Sequence, residues 1–155
     1  ALTRAAGQTT ASFAAHLQPG RQTCWATGTS APCTGVFKPV WIDAQGLPDI
    51  GTAPGAVYDA GSLWWMHENL HRLVIEDYEH RISIYKRERD ALEKKFLAQA
   101  AAACPEDRWV VSKNAFEEAR HATLDWIKRV GASEVARREK FVFRRYWEKQ
   151  NRAVL

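Results

Sequence analysis

The sequence predicts an α+β fold, with a strand-rich first part and a helical remainder. Three observations carry that prediction. Charge is divided sharply: residues 1–58 hold only Arg4, Arg21, Lys38, Asp43 and Asp49, and every other Lys, Arg, Asp and Glu follows Tyr58. The same first part contains five of the six prolines and seven of the nine glycines, which cut it into short extended pieces. Hydrophobic spacing then changes from every second residue before Val40 to every third or fourth after Leu63.

Along the chain, Ala11, Phe13, Ala15 and Leu17 alternate with Thr10, Ser12, Ala14 and His16, the pattern of a strand with one face in a core. Pro19-Gly20 makes a turn, and Arg21 to Thr29 follows as the second strand of a hairpin. Phe37 to Ile42 reads as a third strand, placed at a sheet edge or strand end because Pro39 has no amide donor. Residues 44–58 form a Pro/Gly-rich linker. Ser62 is the N-cap of a helix starting near Leu63, and the stripe Met66, Leu70, Val74, Tyr78, Ile82, Tyr85, Leu92 and Phe96 carries one long amphipathic helix to Ala103. On that helix Glu76, Arg81, Arg87, Glu88 and Glu93 form the solvated face. Cys104-Pro105 breaks it. A second helix begins after Ser112 with Phe116, Ala119, Thr123, Ile127 and Val130 on one face, and Gly131 ends or kinks it. Residues 133–151 form a third helical stretch. The organisation is therefore a strand-rich segment and linker over 1–58 and a helical region over 59–155.

A formal charge of +4 on 155 residues falls short of a phosphate-neutralising surface, so no nucleic-acid partner is expected. The amino terminus has no signal-like apolar core and no segment is apolar enough to span a bilayer, so the expected location is cytoplasmic, with no membrane partner. Cys24, Cys33 and Cys104 make an odd count without a CxxC pair, which argues against a disulfide framework or a thiol metal site.

Two constellations could carry chemistry. His67-Glu68-Asn69-Leu70-His71 matches HExxH, in which two histidines one helical turn apart bind zinc and the glutamate acts as base. The third ligand would come from elsewhere, such as His121; otherwise His67 and His71 are packing or surface histidines. Between Arg137 and Trp147, basic and aromatic residues mix, but Glu134, Glu139 and Glu148 dilute the field, so this reads as a helix with a buried aromatic face. Trp64-Trp65 reads as the anchor of a helix start on the sheet.

The most specific stretch is Cys24 to Trp41. Gln8-Thr9-Thr10-Ala11-Ser12, Thr27-Gly28-Thr29, Ala31-Pro32-Cys33, Phe37-Lys38-Pro39-Val40-Trp41 and Ser62-Leu63-Trp64-Trp65, in that order and spacing, resemble the carboxy-terminal part of secernins and their bacterial dipeptidase relatives. These are N-terminal-nucleophile (Ntn) hydrolases, and the resemblance covers roughly residues 1–100. It implies an αββα sandwich of which these strands are a fragment, and cysteine-dependent hydrolysis of dipeptides or similar small amides without a cofactor. It also implies that Arg4 stands where related hydrolases often place an arginine near the nucleophile.

That mechanism needs a Cys, Ser or Thr as the mature first residue, with its own α-amino group as base. The chain starts at Ala1 and has no cysteine before Cys24, so it is expected to be a fragment that is inactive alone. Its expected partners are then the amino-terminal part of the same protein, other copies of itself, and, for the parent enzyme, a small amide or dipeptide substrate. Alternatives are a non-catalytic helical interaction module and a zinc hydrolase using the HENLH match.

Overall fold

A computed structural model describes residues 9–19, 21–44, 46–135 and 145. It is an α+β structure. Strands β1 (Phe13–Gln18), β2 (Arg21–Ala26) and β3 (Lys38–Val40) form an antiparallel sheet in the order β1-β2-β3. Helices α1 (Leu63–Val74), α2 (Tyr78–Ser83), α3 (Lys86–Ala102) and α4 (Arg108–Ala132) follow, with one 3₁₀ turn at Pro105–Asp107 before α4. Phe13 pairs with Ala26 and Gln18 with Arg21 across the hairpin; Cys24 pairs with Val40 and Trp25 with Pro39 on the other side of β2. Pro39 thus lies on an edge strand, where its missing donor costs no ladder bond. No helix among the described residues is long and apolar enough to cross a membrane. The mixed segment from Arg137 to Trp147 and Arg4 fall outside the described residues, apart from Arg145.

Strand and helical residues share their cores. Val36 packs with Leu70, Val74, Ile82, Tyr85, Phe96, Ala119, Trp126 and Val130. Cys24 and Val40 pack with Leu63, Met66 and Phe116. Tyr85 and Trp126 stack with ring centroids 4.6 Å apart. The apolar stripe read from the sequence therefore does form the core, apart from Tyr78, which is exposed.

Five expectations need correction. The strand from Phe13 to Gln18 forms, but all six of its residues are exposed, Phe13 and Leu17 included. Among the described residues the helices lie against β2 and β3 and cover neither face of β1. The third strand is confined to Lys38–Val40, because Phe37 and Trp41 leave the ladder on either side of it.

The single long helix is instead three, interrupted at Ile75–Asp77 and Ile84–Tyr85 without any proline. Arg81, expected in the solvated face, is buried, and its Nη1 donates to the Leu73 carbonyl at 2.6 Å. Nη1 also meets Glu76 at 2.6 Å, while Nη2 donates to the Ser133 carbonyl at 3.1 Å. One guanidinium thus satisfies carbonyls at the ends of both α1 and α4, a charge suited to two negative helix termini. An uninterrupted helix would leave it no reason to fold back.

The second helix begins four residues before its expected cap. Ser112 lies inside α4, where its hydroxyl donates to the Pro39 carbonyl of β3. Start signals at Ser62 and stop signals near Gly131 do hold: α1 begins at Leu63 and α4 ends at Ala132.

Replacing Arg81 by Met should lower stability by about 3 kcal/mol, since carbonyls at two helix ends lose a buried donor. Urea unfolding followed by circular dichroism measures it; a loss below about 1 kcal/mol would mean the guanidinium is dispensable.

Candidate functional site

The segment between β2 and β3, residues 27–37, is not a surface loop. Thr27, Thr29, Ser30, Ala31, Thr34 and Val36 are all buried, and it is held from three sides. Two backbone positions make its turns possible: Gly28 has φ 61° and Ala31 has φ 43°. For alanine the left-handed region is disfavoured by about 1 kcal/mol, so the surrounding contacts must hold it there. The Ala31 carbonyl accepts from the Thr34 amide at 2.9 Å and from the Thr34 hydroxyl at 2.8 Å.

The segment closes around the side chain of Lys38, the first residue of β3, which is 2% exposed. Its ammonium donates to the Thr27 carbonyl at 2.6 Å and to the Val36 carbonyl at 2.7 Å, and sits 5.1 Å from the centre of the Phe116 ring. Burial pushes its pKa down to about 7, with the Glu93 carboxylate opposing that fall.

Helix α3 grips the segment with residues four apart. Tyr85, at its N-cap, donates its hydroxyl to the Thr34 carbonyl at 3.1 Å, Arg89 donates to the Cys33 carbonyl at 2.6 Å, and Glu93 accepts the Phe37 amide at 2.9 Å. That spacing puts all three on one side of the helix.

Helix α1 supplies the HENLH residues, and their positions show what that match does. His67, His71 and Glu68 are all buried. His67 Nε2 lies 3.1 Å from the Thr34 hydroxyl. Glu68 accepts from the Ser30 hydroxyl at 2.7 Å and from Arg72 Nε at 2.9 Å, and lies 3.3 Å from His71 Nδ1. Desolvation, reinforced by the Lys38 charge, pushes the His67 pKa down to about 3, so this imidazole is neutral at physiological pH. His121, the suggested third ligand, is on α4 beside Glu88, Lys95 and Glu118, in a groove that contains neither His67 nor His71. No group of three His, Cys, Asp or Glu at metal-holding spacing occurs among the described residues. What His67 and Glu68 hold instead are the Thr34 and Ser30 hydroxyls of the 27–37 segment.

Gly35 completes the packing. A Cβ at this position would come within 3.1 Å of Thr29 Oγ1 and 3.3 Å of His67 Cε1. The tryptophan pair anchors the start of α1, but on chain outside the sheet: Trp64 Nε1 donates to the Thr10 carbonyl, before β1, at 2.9 Å and Trp65 Nε1 to the Gly55 carbonyl, in the linker, at 3.2 Å. Cys33 is exposed and Cys24 buried. Sequence reasoning singled out Lys38 only as part of a motif; it missed the ammonium's burial and the Tyr85, Arg89 and Glu93 grip. The four-residue spacing of those three was the available signal.

Comparison with protein-family models, with curated proteins and with solved structures finds no match.

Two titrations follow from the buried ammonium and imidazole. The unfolded chain keeps the Lys38 proton up to about 10.5 and the folded chain sheds it near 7, so between these values the unfolded state binds more protons and stability rises with pH. In Lys38→Met that part of the rise should vanish from urea midpoints measured from pH 7 to pH 10. On the acid side, His67 contributes stability that is complete above 6.5 and lost as pH falls toward 3. His67→Gln should therefore lose less stability than the parent over that interval. Gly35→Ala should destabilise by about 1–3 kcal/mol, because neither Thr29 nor His67 has room to give.

Proposed function

We propose that this chain is the non-catalytic sheet-and-helix part of a secernin-like amidohydrolase or dipeptidase of the Ntn type. In this reading its three strands belong to an αββα sandwich completed by other polypeptide. That polypeptide supplies the cysteine nucleophile, and the substrate is a dipeptide or similar small amide.

The observation that carries the reading is β1. A six-residue strand exposed throughout, with Phe13 and Leu17 bare and its outer edge unpaired among the described residues, is a surface that further strands would cover. The resembling residues support it in a second way. Thr27, Thr29, Lys38 and Trp41 are buried and build a rigid support for the sheet, with no nucleophile and base poised in an open cleft among them. Such a support is what an active site on a neighbouring layer would lean on.

The purified chain should show no hydrolysis of a dipeptide panel, whereas the full product of its gene should hydrolyse at least one member and lose that activity when its early cysteine is changed to serine. Hydrolysis by the chain alone, or a full product without such a cysteine, would refute the reading. The bare strand adds a physical expectation: the chain self-associates, and Leu17→Lys shifts light scattering toward monomer while leaving the circular dichroism unchanged.

A further inference from the structure

Between β2, the turn after β3 and the start of α4 lies a cavity of about 330 Å³, lined by Gln22, Cys24, Trp41, Ile42, Asp43 and Arg108. That volume is at the lower end of the range that small-molecule ligands occupy. Its inner wall is rigid, because Cys24 and Trp41 are buried members of the core. The one cation among these six residues is Arg108, whose guanidinium carbon lies 5.9 Å from the centre of the Trp41 ring.

Arg108 is the first residue of α4, where the backbone dipoles already present positive charge. A guanidinium at that end raises the local potential further and calls for an anion. Asp43 supplies one through Nη1 of Arg108, but the Asp43 side chain is 65% exposed. Glu106 and Asp107 precede Arg108, and Asp107 accepts from the Cys104 thiol at 2.8 Å. A guanidinium whose partner is an exposed carboxylate, beside an indole and a thiol, matches a flat apolar group that ends in a carboxylate.

We propose that this cavity binds a small monocarboxylate, with its planar apolar part against Trp41 and its carboxylate on Arg108 in place of Asp43. A monocarboxylate exchanges one negative charge for another at the guanidinium. A phosphate dianion would bring two beside Asp43 with a single lining cation to answer them. The proposal does not depend on the hydrolase reading, since the cavity and its charges belong wholly to this chain.

The test is titration of the isotope-labelled chain with benzoate, its neutral isostere benzamide and inorganic phosphate, following the Trp41 indole N–H by NMR. Benzoate should shift that signal saturably, and benzamide should bind about tenfold more weakly or worse. Asp43→Asn, at an exposed side chain, should tighten benzoate several-fold by removing its competitor, and Arg108→Gln should abolish binding. No saturable shift, equal binding of benzamide, displacement of benzoate by phosphate, or an unchanged affinity in Asp43→Asn would each overturn the proposal. The Asp43 variant keeps the test decisive if Arg108→Gln does not fold.

Discussion

The structure depends on one buried lysine. Lys38 reaches back across the segment that joins β2 to β3 and ties the Thr27 carbonyl at its start to the Val36 carbonyl near its end. An ammonium removed from water is costly unless its donors are met, and here two backbone carbonyls and an aromatic face meet it. Since Lys38 is also the first residue of β3, this closure fixes where the strand begins. The aliphatic stem fills the core that a shorter residue would leave empty.

Around that closure the helices act as clamps. Tyr85, Arg89 and Glu93 hold three successive parts of the segment through its backbone groups, while His67 and Glu68 hold it through the hydroxyls of Thr34 and Ser30. This explains the shape of the helical region. Tyr85 must reach the Thr34 carbonyl and stack on Trp126 at the same time, and Arg81 must reach the ends of α1 and α4. A straight helix from Leu63 to Ala103 could not satisfy both. Two breaks, made without proline or glycine, are the consequence.

HENLH shows how the same residues can read as chemistry and serve as structure. Two histidines and a glutamate one turn apart present ligating atoms on one helix face, and the pattern does not distinguish a metal from a loop as the occupant of that face. In this fold the 27–37 segment occupies it. Glu68, which would be the base of a zinc site, receives Ser30 and Arg72, and His67 is held neutral by burial beside Lys38.

The sequence by itself determined the local periods. The antiparallel pairing of β1 with β2, the edge position of Pro39, the start of α1 after Ser62 and the buried stripe from Met66 to Phe96 were all legible, because each depends on neighbours within a few residues. The tertiary structure decided the rest. Alternation at Phe13, Ala15 and Leu17 marked two faces of a strand, but whether anything covers them depends on where the helices pack, and they pack on β2 and β3. Heptad-like spacing could not show that Arg81 would turn inward, because its carbonyl partners lie at Leu73 and Ser133, eight and 52 residues away. Ser112 looked like a cap and became a bridge to Pro39, 73 residues distant. The Lys38 ammonium stands between these cases: its acceptors are close in the chain, yet its burial required three helices that the sequence around it does not contain.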